Sequence, residues 1–205
     1  MNSTEKRKQV LVIGRFQPVC GNHVDMVEQA REYGEDLIVG IGRPNYARAR
    51  EVLDAKGFLE YQVKNLFSYE RTKELVEHAF AGEKGIAVVP IYDIFDPDNY
   101  ASHVKNEAAK AGVHLDDCVL AGENFDTWKC FEGSGIEVRL VQDRTKYHAT
   151  QIREEIYRTG KSEQLAAPLT PKEIKRVQDA NYILGQESAH DMREAILKLG
   201  YEIID

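Results

Sequence analysis

The 205 residues carry 34 acidic against 27 basic side chains, a net charge of −7. That balance sets aside a general nucleic-acid binder, which shows a basic face. A 42% apolar and 30% charged composition is that of a water-soluble globular chain, and no apolar run approaches the roughly 20 residues of a membrane span. The three cysteines, Cys20, Cys118 and Cys130, lack CxxC spacing and point to a reducing, cytoplasmic setting rather than to a disulfide framework or a zinc site.

Residues 9–13 (QVLVI) are short, apolar and β-branched, and they follow a basic start too briefly for a signal peptide, so they read as a buried strand ending at Gly14. Asn22 is the expected N-cap of the helix that begins at His23. Residues 36–42 (DLIVGIG) form a second strand, and residues 47–66 read as one or two helical turns in a long excursion. Ser68 caps a helix whose Leu75, Val76, Ala79 and Phe80 recur helically. Residues 85–91 are a third strand, and residues 99–111 a helix ended by Gly112. Residues 118–121 are a fourth strand, followed by a helix near 125–131, and residues 135–141 a fifth. Thr150 opens a helix that stops at Gly160. Beyond Pro168 come two helices, with Pro171 in the first turn of one and Ser188 capping the other, and YEIID is placed as an added edge strand. The division is therefore residues 1–168 as one α/β domain and residues 169–205 as its helical extension, which caps the sheet edge or meets a second subunit in a homo-oligomer.

Apolar strands alternating with amphipathic helices predict a parallel sheet covered on both faces. Ligands of such sheets sit beyond the carboxyl ends of the strands, which directs attention to the loops after Gly14, after Gly42 and before Thr150. The first joins a strand to a helix N-terminus, where free backbone N–H groups and a partial positive charge favour phosphate. Arg15 and His23 add donors there, and Gly14 is expected to let a ligand approach the backbone. The same stretch also reads as a plain strand–turn–helix connection.

GRFQPVCGNH (residues 14–23) resembles the signature of the HxGH nucleotidyltransferase superfamily, in the GRFQPFHxGH form of the archaeal-type nicotinamide mononucleotide (NMN) adenylyltransferases. In the same order, GIGRPNY (40–46) is similar to GIGSxxY, NLFSYERTKEL (65–75) to NPFSYEERKEM, VPIYDIFDPDNYASHV (89–104) to VPIPDIxxxxxWxSHV, and YHATQIREEI (147–156) to SxTxIR. The likeness covers roughly residues 9–168. It implies a Rossmann-like three-layer α/β sandwich and the transfer of a nucleotidyl group from a nucleoside triphosphate to a phosphorylated acceptor, with release of pyrophosphate. Such chemistry needs cations and N–H donors in position rather than a nucleophile, with Mg²⁺ accompanying ATP.

By position, the resemblance makes His23, Thr150 and Arg153 the phosphate contacts. It puts Gly14, Arg15, Phe16, Gln17, Asn22 and Gly122 at the nucleotide, and Arg15, Asp93, Asn99 and Tyr100 at the acceptor. Tyr100 replaces a Trp and would stack on a nicotinamide ring. ATP with NMN, giving NAD, is the leading pair. A cytidylyl transfer to another phosphate, and a nucleotide-binding protein with weakened catalysis, stay open. Arg153 also reads as an ordinary charged helix face, Tyr100 as core and Asp93 as a turn residue. The chain departs from the pattern at Cys20 (for the first His), Asn22 (for Gly), Thr72 (for Arg) and His148 (for Ser). A thiol is a weak donor, so His148 is expected to supply the imidazole missing at position 20.

Overall fold

Side-chain alternation along the first strand decides which layer each residue joins. Val10 and Val12 enter one apolar cluster, Leu11 and Ile13 the other. A strand covered on both faces has to be apolar at successive positions, which is why QVLVI carries no polar residue after Gln9. The computed structural model describes residues 9–115, 117–122, 129–145 and 147–204. Five strands, β1 (Gln9–Gly14), β2 (Asp36–Arg43), β3 (Ile86–Tyr92), β4 (Val119–Gly122) and β5 (Glu137–Leu140), form an all-parallel sheet in the order β3-β2-β1-β4-β5.

Against Val10 and Val12 pack Val27 of α1 (Gly21–Ala30), Val76 of α4 (Tyr69–Ala79), Ile152 and Ile156 of α6 (Ala149–Thr159) and Val177 of α7 (Pro171–Leu184). Against Leu11 pack Val104 and Ala108 of α5 (Pro97–Lys110), together with Phe131. This is the expected three-layer α/β arrangement. The chain runs from β1 outward to β2 and β3, then returns to β4 on the other side of β1. The reversal opens a crevice beyond the carboxyl ends of β1 and β4.

Local chemistry sets most boundaries. The Ser68 hydroxyl accepts the Arg71 N–H, Asp96 accepts the Asn99 N–H, and Thr170 accepts the Glu173 N–H while Glu173 reaches back to Thr170. Gly160 ends α6 at φ +75°, a conformation that favours glycine.

Several expectations are corrected. The N-cap of α1 is Cys20, and Asn22 lies inside the helix. The excursion after β2 forms two helices, α2 (Tyr46–Val52) and α3 (Ala55–Lys64), capped by Asn45 and Asp54. α5 begins at Pro97, whose missing N–H suits a first turn. Residues 201–204 add no strand. Of the C-terminal helices, α7 lies on α6, and α8 (Ala189–Lys198) packs Met192 and Ile196 against Leu59 of α3. Of the helix expected near 125–131, residues 123–128 lie outside the described residues. Among the described residues, no helix is long and apolar enough to cross a membrane.

Candidate active site

The loop after β1 is built around a buried ring. Phe16 is fully buried at φ +53°, and its ring edge lies 3.1 Å from where a side chain on Gly14 would begin. Gly14 therefore makes room for Phe16, and the Phe16 ring meets the His23 ring at a 38° tilt, ring centroids 4.7 Å apart. Gln17 is also buried. Its amide N–H donates to the Phe67 carbonyl (3.4 Å) and its oxygen accepts the Phe67 N–H (3.1 Å). This pair stitches the loop to the segment before α4.

At the start of α1 the Cys20 N–H donates to His23 Nδ1 (3.2 Å), and the Cys20 Sγ lies 3.2 Å from the same nitrogen. Because Nδ1 accepts, the neutral ring carries its proton on Nε2. Burial, with the nearby charges of His148 and Arg153 adding to it, lowers the His23 pKa to about 4. His23 is thus a neutral single donor at pH 7.

Facing it, Arg153 stands one turn beyond Thr150 on α6, so the two share a face. Arg153 Nη1 donates to the Gln17 carbonyl (2.9 Å) and Nη2 to Thr150 Oγ1 (3.0 Å). Its Nε is buried without a partner. Burial, then the charge of Arg15, pushes its pKa down. Among the described residues no carboxylate bonds to this guanidinium. A desolvated cation beside a second cation is costly, and an arriving anion removes that cost.

His148 has both ring nitrogens engaged. Nδ1 is 3.3 Å from Asn22 Nδ2, and Nε2 is 3.0 Å from Asp143 Oδ2. The Asn22 carbonyl oxygen accepts the Thr145 hydroxyl (2.9 Å), which fixes the amide so that it donates to His148. Two positions that depart from the resembled pattern thus bond to one another. The Cys20 thiol, 3.7 Å from the Tyr147 carbonyl, closes the same corner. Lys146, between Thr145 and Tyr147, lies outside the described residues.

The side of the crevice beyond β3 is more open. At the end of β3, Asp93 Oδ2 accepts from Arg15 Nη2 (3.3 Å) and from the Tyr61 hydroxyl (2.6 Å). The Asn45 N–H donates to that hydroxyl (3.0 Å), and the Arg15 guanidinium lies 5.0 Å over the Tyr61 ring. Burial and then the Asp93 bond raise the Tyr61 pKa. Arg15, Asp93, Phe95, Tyr100 and Cys130 line a cavity of about 480 Å³. Tyr100 meets Phe131 edge-on at 5.8 Å, and burial pushes its phenol up to about 12. Asn99 donates to Asp96 at the helix cap (2.8 Å) and does not line this cavity. Gly122, at the end of β4, has open space where a side chain would stand. Tyr61 is the residue that reading residues 47–66 as one or two turns leaves out; the spacing of Phe58, Leu59 and Tyr61 was its signal, since all three are buried. Arg43 is held between the Tyr69 and Tyr92 rings. Among the described residues, no three His, Cys, Asp or Glu side chains group to hold a metal.

Comparison with known proteins bears on this geometry. The chain is 22% identical over 143 residues to the nicotinamide-nucleotide adenylyltransferase of Archaeoglobus fulgidus, covering 69% of this chain and 75% of that one. It is 27% identical to the protein of the same name from Thermoplasma volcanium, covering 80% and 83%. In fold it is similar to a crystal structure of a bifunctional NMN adenylyltransferase/ADP ribose pyrophosphatase from Francisella tularensis, with a TM-score of 0.63 and 21% identity over 87% of this chain. The chain spans 55% of that protein's length. Residues 11–161 match the cytidylyltransferase-like family. That stretch runs from β1 through α6 and holds both helix N-termini and the cavity lined by Arg15, Asp93 and Tyr100. The chain belongs to the cytidylyltransferase-like family of nucleotidyltransferases.

Proposed function

We propose that this chain transfers the adenylyl group of ATP to nicotinamide mononucleotide, giving NAD and pyrophosphate. The observation that carries the reading is the placement of Arg153. It is half-buried beside Arg15 and bonded to the Gln17 carbonyl, at the point where the two helix N-termini meet the proposed acceptor cavity. The names of the relatives support the choice of substrates.

In this reading an oxygen of the acceptor phosphate attacks the α-phosphorus of ATP in line. The new O–P bond forms as the bond to the β-phosphate oxygen breaks, and pyrophosphate leaves. The backbone N–H groups of α1 and α6, His23 Nε2–H, Thr150 and Arg153 bind the triphosphate and neutralise the charge that builds on the departing oxygens. Gln17 and Phe16 hold Arg153 and His23 in place. Arg15 and Asp93 orient the acceptor, and Tyr100 presents its ring to the base. His148, bonded to Asn22, supplies a second imidazole at the corner where Cys20 stands. A divalent cation, Mg²⁺ by preference, would be carried on the triphosphate oxygens and offset their charge. This agrees with a residue set rich in cations and poor in grouped carboxylates. The free thiols suit a reducing cytoplasm.

A second reading, cytidylyl transfer, follows from the family description. Pyrophosphate release is the test, with ATP and with CTP, each against NMN. NAD formed from ATP and NMN establishes the first reading. Product from CTP alone establishes the second, and saturable ATP binding without any pyrophosphate reduces the chain to a nucleotide-binding protein.

A further inference from the structure

Away from the crevice lies a second cavity, of about 440 Å³, enclosed by α3, α7 and residues 200–204. That volume lies in the range of small-molecule sites. The C-terminal segment closes it as a strap. Gln62 donates to the Glu202 carbonyl (2.7 Å) and accepts the Ile204 N–H (3.3 Å), Arg50 donates to the Ile204 carbonyl, and the Tyr201 hydroxyl donates to Asp179 (2.8 Å).

One polar atom inside is unmatched, and one cation stands exposed at the rim. Asn65 is 94% buried. Its amide N–H donates to the Tyr61 carbonyl (2.7 Å), but its Oδ1 has no partner. A buried acceptor left unpaired is costly, and a donor brought by a ligand recovers that cost. Arg176 lies over the Tyr201 ring, and among the described residues no carboxylate pairs with it. The apolar part of the lining is chiefly Leu66, Ala180 and Ile183, and Tyr46, Gln62, Tyr201 and Glu202 complete it.

We propose that this cavity binds a small aromatic anion, carboxylate or phosphate, that also carries an N–H or O–H donor. The anion meets Arg176, the donor meets Asn65 Oδ1, and the ring rests on the apolar lining. The site reports to the acceptor cavity. Asn65 is bonded to the Tyr61 backbone, and the Tyr46 ring, which lines the new cavity, meets the Tyr61 ring edge-on at 5.8 Å. Tyr61 in turn holds Asp93, the partner of Arg15. This coupling rests on the proposed function; the binding does not.

The binding test uses the full chain without ATP or NMN. Four probes, 4-aminobenzoate, 4-aminophenyl phosphate, benzoate and benzamide, are titrated by ligand-detected NMR while the Asn65 side-chain amide resonance is followed. An amino-bearing anion should bind and shift that resonance, with benzoate (no donor) and benzamide (no charge) each weaker by about tenfold. Whether 4-aminobenzoate or 4-aminophenyl phosphate binds tighter identifies the anion. Arg176→Met, on an exposed position, should weaken binding at least about tenfold, Ala180→Phe should block it, and Arg15→Ala should leave it unchanged. No binding at millimolar concentration overturns the site, as does binding that survives Arg176→Met and is lost in Arg15→Ala. With a probe bound, the KM for NMN should move about threefold; an unmoved KM overturns the coupling to Tyr61.

Discussion

The two halves of the crevice are built on different principles. At the end where α1 and α6 begin, His23 and Arg153 are half-buried and multiply tied. Arg153 is bonded to Gln17 and Thr150, His23 is held by the Cys20 N–H and the Phe16 ring, and Gln17 is clamped to Phe67. At the acceptor end Arg15 is exposed, its side chain 42% accessible, and is tied to Asp93 by one long bond. Where charge develops in a reaction, donors already in place cost no reorganisation. Where a substrate is chosen, an adaptable lining suffices, and its loss weakens binding more than turnover.

Four measurements can break or sharpen this contrast. The largest effect is expected at Arg153: Arg153→Ala should lower kcat/KM for pyrophosphate release by ~10³-fold, and Arg153→Lys should recover little, because a point charge cannot span Gln17 and Thr150. A drop below about tenfold would place the phosphates elsewhere. Next is His23, through stability. Its folded pKa of about 4 lies below the ordinary 6.5. Above pH 6.5 both states are neutral and the group costs nothing. As the pH falls toward 4 the unfolded chain takes up a proton that the folded chain refuses, so its contribution to stability drops by about 3 kcal/mol and then levels off. Urea unfolding near pH 7 and near pH 4 should show a steeper acid loss for the native chain than for His23→Gln; equal slopes would mean that the ring is solvated.

At the acceptor end, Asp93→Asn should raise the KM for NMN about tenfold while leaving that for ATP in place, and Tyr61→Phe should do so about threefold. Equal effects on both substrates would erase the distinction between the halves. The smallest effect is expected for Asn22→Gly, about twofold in kcat/KM, since it removes only neutral bonds, to His148 and from Thr145.

The sheet was legible because a buried parallel strand must be continuously apolar, and QVLVI and DLIVGIG can hardly be anything else. Helix starts were legible where a short polar side chain caps, as at Ser68 and Ser188, and misread where the chain uses something unusual. Cys20 stands at an N-cap, a place sequence rules give to Asn22, because the His23 ring answers its backbone N–H. The donor His23 was legible from its place at a helix start, and Arg153 through the likeness of residues 147–156 to SxTxIR. The reason for Gly14 was not, since a Phe two residues on folding back over it is a tertiary event. Tyr61 was hidden for the same reason: nothing local tells that an aromatic on α3 will reach Asp93 on β3. The tail looked like an appendage by composition, yet Val177 and Ala180 sit in the main core with Ile152 and Ile156.

The three thiols occupy three different chemical worlds. Cys20 and Cys118 are buried, and burial pushes the Cys118 thiol up to about 11. Cys130 alone among them is partly accessible, and it lines the acceptor cavity beside Arg15 and Tyr100. Alkylation follows access and thiolate content, so a soluble maleimide should find Cys130 first. An adduct there would stand in the space meant for the acceptor, making this cysteine a ready covalent handle on the open half of the crevice.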